Sequence, residues 1–191
     1  MKIGILGGTF NPVHYGHLIL AEEAYRILLL DKVIFIPCCL PPHKRVKDLI
    51  LPRHRLEMVR EAIRGNRHFA VSDIEIKAGG VSYTFETLEK FRKMFPRSTE
   101  IFLIVGSDAL RELPRWKNFS QILNLARIVI ATRPDFPVGK RPSWAEVIKI
   151  PLIDISSSEI RRRIKRGTTV KYLIPSAVEK YIEKNRLYKN E

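Results

Sequence analysis

Apolar positions along the 191-residue chain change their spacing many times, and the changes mark out elements. Residues 2–7 (KIGILG) and 32–37 (KVIFIP) are short apolar runs that predict strands, the second ended by Pro37. Between them, from about Gly16, the residues Leu18, Ala21, Ala24, Tyr25 and Leu28 recur at helical spacing and predict a helix with one apolar stripe against a sheet. The basic, proline-containing stretch 38–50 predicts a long loop, and 51–63 (LPRHRLEMVREAI) a helix that accommodates Pro52 in its first turn. Residues 68–76 (HFAVSDIEI) alternate and predict one or two short strands. Residues 81–95 predict a helix capped by Ser82 or Thr84, with Leu88, Phe91 and Met94 or Phe95 facing inward.

The run IFLIV at 101–105 is continuous rather than alternating, as expected for a strand buried on both faces, and 126–134 (ARIVIATRP) repeats the pattern up to Pro134. Residues 135–144 carry prolines and a glycine and predict a connection. Short strands around 147–155 and two helices, 157–166 and 175–188, complete the pattern. Strands alternating with helices predict an α/β fold with a doubly wound, mainly parallel sheet. A chain of this length, 45% hydrophobic, can bury roughly two thirds of its unfolded surface, so one domain over 1–191 is expected, with a small C-terminal helical portion from about residue 155.

Charge narrows the partners. Thirty-four Lys and Arg against twenty Asp and Glu leave a net charge of +14, which attracts anions: nucleic acid, acidic lipid or phosphorylated metabolites. Such a surface also simply confers solubility. Cys38 and Cys39 are adjacent and are the only cysteines, which excludes a disulfide framework or a spaced metal set and suits a reducing cytoplasm. The N-terminus does not read as a signal peptide and no apolar run approaches the ~20 residues of a membrane span, so a cytoplasmic protein with no membrane partner is expected.

The chemistry concentrates first at GGTFNPVHYGHL, residues 7–18, where the first strand turns into the first helix. In a doubly wound sheet ligands bind beyond the carboxyl ends of the strands, and this turn lies at such an end. Gly7 and Gly8 allow close main-chain approach, the helix start offers N–H groups to a phosphate, and His14 and His17 bracket that start so that both can face one anion. With no third ligand nearby, the pair suits phosphate rather than a metal. Far along the chain, Ser156 to Ser158 open a helix whose start also holds Glu159 and Arg161, converging hydroxyls, N–H groups and a guanidinium, or else forming an ordinary capping box.

The stretch GGTFNPVHYGHL resembles the signature of the HxGH nucleotidyltransferases, and most closely that of the bacterial nicotinate-nucleotide adenylyltransferases, with Asn11 where aspartate is usual. Both residues can cap a turn through a side-chain oxygen, so the exchange is expected to be tolerated. PPHK (41–44), SYTFETL (82–88), GSDAL (106–110) followed by Trp116, and ISSSEIR (155–161) are similar to further motifs of the same family, across nearly the whole chain. The resemblance implies a Rossmann-like fold and transfer of AMP from ATP to nicotinate mononucleotide. It implies that His14 and His17 contact the ATP phosphates, that Ser157, Ser158 and Arg161 bind the triphosphate, and that His14, His17 and Arg161 carry the catalysis. Gly8, Thr9, Phe10, Gly16, Gly106 and Asp108 are implied in the rest of the ATP site. Lys44, Tyr83, Thr84, Asp108 and Trp116 are implied for the acceptor, with His43 a further loop contact.

Read without that resemblance, Lys44 is either a phosphate clamp or a solvated charge, Thr84 a ligand contact or a cap, and Trp116 a stacking platform or a half-buried anchor. Mg²⁺ is expected with ATP as part of the substrate, since the chain shows no dedicated carboxylate cluster. The sibling adenylyltransferases acting on nicotinamide mononucleotide or pantetheine phosphate remain alternatives. A nucleic-acid-binding module built on the basic residues 159–182 is the alternative of another class, disfavoured because its second helix has few residues suited to reading bases; no nucleic-acid partner is expected. Homo-oligomer formation through the C-terminal helix and Tyr188 stays open.

Overall fold

The computed structural model describes residues 1–42, 48–132, 138, 142–151 and 153–189. In chain order the elements are β1 (Lys2–Gly8), α1 (Tyr15–Leu28), β2 (Lys32–Pro37), α2 (Pro52–Ile63), β3 (Phe69–Val71), α3 (Ile74–Ala78), α4 (Thr84–Met94) and β4 (Glu100–Gly106). Two 3₁₀ turns (Ser107–Ala109 and Leu113–Arg115) lead to α5 (Phe119–Leu125), followed by β5 (Arg127–Ala131), β6 (Ala145–Ile148), α6 (Ser157–Lys165) and α7 (Ser176–Lys184). The six strands pair in parallel in the order β3-β2-β1-β4-β5-β6. This is the doubly wound arrangement, and the order reverses between β1 and β4, which opens a crevice beyond Gly8 and Gly106.

Alternate strand residues feed two cores. Leu6, Phe35, Phe102, Ile104 and Val129 pack with α1, α2, α6 and α7 residues such as Leu20, Met58, Ile160 and Val178. Ile3, Ile5, Ile36, Leu103 and Ile130 pack on the other face with Leu88, Phe91 and Ile122 from α4 and α5. Burial on both faces is why IFLIV is continuous.

Several expected details differ. Residues 74–78 are helical rather than a strand: Asp73 stands at the N-cap position, Ser72 Oγ accepts the Ile74 N–H at 3.4 Å, and Gly79 stops the turn at φ 70°. Neither Ser82 nor Thr84 caps α4 by its side chain. Tyr83 occupies that position, and Ser82 Oγ accepts the Cys39 N–H at 2.8 Å. Met94 is 63% exposed, and Phe95 instead stacks on Phe91 at 5.8 Å. The last helix stops at Lys184, and Leu187 and Tyr188 turn back into the core. Residues 43–47, with His43 and Lys44, lie outside the described residues, as do 133–137 and 139–141.

One buried cation ties the strand exits together. Arg55 of α2 is 0% exposed, and its guanidinium donates to the carbonyls of Thr9 (2.9 Å), Cys38 (2.6 Å), Cys39 (2.7 Å) and Ile50 (3.2 Å). A charge removed from water is tolerable only with such a set of acceptors. Beside it, the Tyr188 hydroxyl donates to Asn11 Oδ1 at 2.8 Å, and Asn11 Nδ2 donates to the Asp48 carbonyl at 3.0 Å. Asn11 therefore reaches across to two distant segments instead of capping its own turn, and the donor half of that bridge is one an aspartate lacks. Tyr188 is buried inside the chain, where burial pushes its phenol well above the usual range and holds it as a donor.

Arg55→Met is expected to lower the unfolding free energy by about 3 kcal/mol, because it unpairs four carbonyls at once. Urea unfolding followed by circular dichroism reads the loss, and a change below about 1 kcal/mol would contradict the role given to the guanidinium. Tyr188→Phe is expected to cost about 1 kcal/mol in the same measurement, as one buried hydrogen bond is lost without a large cavity.

Candidate active site

The turn from β1 to α1 is shaped by close packing around its glycines. Phe10 stands at φ 48°, and its buried ring covers Gly8 so closely that a β-carbon there would lie 2.9 Å from Phe10 Cζ. Gly7 has nothing within 4 Å of such a β-carbon, so the main chain is open to the crevice at that point. Asn11–Pro12 is a cis peptide bond. A β-carbon at Gly16 would lie 3.0 Å from His14 Nδ1, so the glycine of HYGH leaves room for the His14 ring.

His14 occupies the N-cap position of α1, and its N–H donates to His17 Nδ1 at 3.3 Å, which leaves Nε2 of His17 to carry the proton. The two rings lie 3.8 Å apart, and Phe10 meets His17 edge-on at 5.0 Å. His14 is buried and His17 half-buried, so the pair sits at the edge of the protein with one ring partly accessible.

The start of α6 abuts this turn. Ser156 Oγ caps α6 by accepting the Glu159 N–H at 3.2 Å. Ser157 donates its hydroxyl to the Pro12 carbonyl at 2.9 Å, and Arg161 Nη1 donates to the Asn11 carbonyl at 2.9 Å while Nη2 donates to Ser158 Oγ at 3.3 Å. The hydroxyl proton of Ser157 is thus engaged with the protein, whereas Ser158 accepts from Arg161 and keeps its own proton to donate. Helices α1 and α6 bring two N-termini, two imidazoles and a guanidinium to one place, a strong anion-binding field. Arg162 and Arg163 turn away to Glu159. A small cleft of about 20 Å³ lies beside the histidines, lined by Gly16, Ile19, Leu20, Thr132, Ile150 and Ile155.

On the other side of Gly8 a cavity of about 270 Å³ opens beyond β1 and β4. It gathers Thr9, Tyr83, Thr84, Asp108 and Trp116 of the expected site, together with Cys38, Glu75, Pro41, Glu112 and Lys117. Its wall is pinned to the exit of β2: the Ser82 N–H donates to the Leu40 carbonyl at 2.9 Å, and the Cys39 N–H to Ser82 Oγ. Lys117 lies 4.3 Å from the Tyr83 ring centroid and pairs with Glu86 at 2.8 Å. Burial raises the Cys38 thiol and holds it neutral. Gly106 ends β4 opposite Ala131, one residue short of the turn that carries Asp108.

Apart from Gly106 at the end of β4, and Lys44 and His43 outside the described residues, the residues expected from sequence fall in two groups, one at the histidine turn and one lining the cavity, which join at Gly8 and Thr9. Sequence reasoning missed Arg55, Glu75, Lys117 and the inward turn of Tyr188. Among the described residues no cluster of three His, Cys, Asp or Glu side chains could hold a metal ion, and no helix is long and apolar enough to cross a membrane.

Comparison with known proteins places this geometry. The family model described as Cytidylyltransferase-like matches residues 5–163. A Desulfitobacterium hafniense protein named "Probable nicotinate-nucleotide adenylyltransferase" is 42% identical, over 98% of this chain and 96% of its own length. A Thermus thermophilus protein of the same name is 41% identical, over 99% of this chain and 100% of its own. In fold, the chain is similar to the Plasmodium falciparum nicotinic acid mononucleotide adenylyltransferase complexed with NaAD, with a TM-score of 0.83 at 22% identity, covering 98% of this chain and 97% of that one. Full-length relatives at this level of identity, on a sheet whose switch point carries the HxGH turn, leave one assignment: the chain belongs to the cytidylyltransferase-like family, among the nicotinate-nucleotide adenylyltransferases.

Proposed function

We propose that this chain, acting as one nucleotidyltransferase domain over 1–191 in the cytoplasm, transfers the adenylyl group of ATP to nicotinate mononucleotide. The products are nicotinate adenine dinucleotide and pyrophosphate, a step of NAD biosynthesis. The observation that carries the reading is the pair of hydrogen bonds from Ser157 and Arg161 to the carbonyls of Pro12 and Asn11, which hold the hydroxyl-and-arginine helix start against the histidine turn.

A phosphate oxygen of the mononucleotide attacks the α-phosphorus, the bond to the β-phosphate oxygen breaks, and its electron pair leaves on pyrophosphate. The nucleophile is already ionised, so no general base is needed and catalysis is positioning and charge neutralisation. His17 presents Nε2–H to the phosphate oxygens, with His14 beside it. Arg161, Ser158 and the first-turn N–H groups of α6 hold the outgoing pyrophosphate, while Ser157 fixes the α6 start to the turn. Gly8, Thr9, Phe10 and Gly16 shape the floor. Gly106 and Asp108 bound the middle of the site, with the Asp108 carboxylate accepting from ribose hydroxyls.

In the larger cavity Tyr83 and Thr84, at the start of α4, offer N–H groups to the ring carboxylate, and Trp116 stacks on the pyridine. Lys44 clamps the acceptor phosphate. Mg²⁺ would enter with ATP as part of the substrate and would supply neutralisation of its phosphate charge.

A coupled assay is expected to give faster transfer to nicotinate mononucleotide than to the amide nucleotide, by about tenfold or more, and none to pantetheine phosphate; equal use of acid and amide would mean dual specificity. His17→Ala is expected to lower kcat by more than about 100-fold with an unchanged melting temperature. Near wild-type turnover in that variant would remove His17 from the mechanism.

A further inference from the structure

A carboxyl group stands in the wall of the cavity proposed to take a carboxylate. Glu75 of α3 is half-buried, lines the cavity, and accepts the Thr87 hydroxyl at 2.6 Å. The Ser82 hydroxyl also favours the charged form of this carboxyl. Thr87 follows Tyr83 and Thr84 in the first turn of α4, so its bond ties Glu75 to the α4 start. Nothing in the adenylyl-transfer chemistry uses it.

We propose that Glu75 sets the pocket's choice between ring substituents: it positions the α4 start through Thr87 and, in its uncharged form only, accepts a ring carboxylate in the cavity. The proposal rests on the function given above.

Burial raises the Glu75 carboxyl above its ordinary range, against the opposing hydroxyls of Thr87 and Ser82 and the charges of Lys90 on α4 and Arg55 on α2. The other groups near it are accounted for. Asp73 and Lys77 on its own helix pair with each other at 3.1 Å. Cys38 at the exit of β2 is a neutral thiol. Tyr83 lies under Lys117, which is engaged by Glu86, and Asp108 and Glu112 line the cavity from the segment after β4. A second carboxylate entering this low-dielectric space raises Glu75 further, so binding of the acid nucleotide takes up a proton. The amide nucleotide carries no such charge and takes up none.

The test is the ratio of kcat/KM for nicotinate mononucleotide to that for nicotinamide mononucleotide, from pH 6 to 8.5, because titration of the 5′-phosphate common to both cancels. In the wild type the ratio is expected to fall with rising pH, by about tenfold overall, since linkage of one proton allows at most about tenfold per pH unit. Glu75→Gln, which still accepts from Thr87, is expected to flatten the ratio, and Glu112→Gln to leave the slope intact. Thr87→Val, which removes a bond to the charged form, is expected to move the fall to higher pH and serves where Glu75→Gln does not fold. A flat wild-type ratio in an enzyme active on the acid, persistence of the slope in Glu75→Gln, or its loss in Glu112→Gln overturns the proposal while leaving the function in place. Failure to use either nucleotide removes the function, and the proposal with it.

Discussion

The Arg55 guanidinium makes a single unit of segments that the chain otherwise leaves loose. Its four acceptors belong to the exit of β1, the exit of β2 and the approach to α2, all of which are irregular backbone. Moving any one of them away leaves a buried N–H of the guanidinium unpaired, at a cost above the worth of a single neutral hydrogen bond. The loops at the switch point are therefore held by electrostatics, where the sheet beneath them is held by apolar burial. Thr9 shares this network with the histidine turn, and Cys38 shares it with the cavity, so the two halves of the site have a common anchor.

Above that anchor the geometry follows from space as much as from charge. Gly8 lies beneath the Phe10 ring, Phe10 meets His17, and Gly16 makes room for His14. Each small residue accommodates a ring, and the rings settle where the imidazoles stand. The α6 start then closes on the carbonyls of Asn11 and Pro12, and its hydroxyl and guanidinium arrive in register with the histidines because the backbone of the turn is their hydrogen-bond partner.

The period of apolar residues made most of this legible in the sequence. IFLIV announces a central strand, Leu18 to Leu28 a stripe against the sheet, and HYGH and ISSSEIR mark two segments that the fold brings together through Ser157 and Arg161. What escaped has a common physical reason. The five residues of α3 are too short for a helical period to appear, so Ile74 and Ile76 mimic strand alternation. Arg55 looks like any surface arginine of an amphipathic helix, since its burial depends on acceptors as far away as Thr9. Glu75 and Tyr188 escaped likewise: a polar side chain is buried when partners distant in sequence receive it, and local spacing carries no trace of them.

The bonds that close the histidine turn join distant segments: Pro12 meets Ser157 across 145 residues, Asn11 meets Arg161 across 150, and Asn11 meets Tyr188 across 177. Such closures carry the largest loop entropy and form only after the intervening strands have docked. On a ribosome, the histidines emerge well before Ser157, Arg161 and Tyr188, and their surroundings are complete only once those residues arrive. A nascent or half-folded copy thus holds the early motifs without the α6 start seated against them, so the finished turn is a late signature of correct folding.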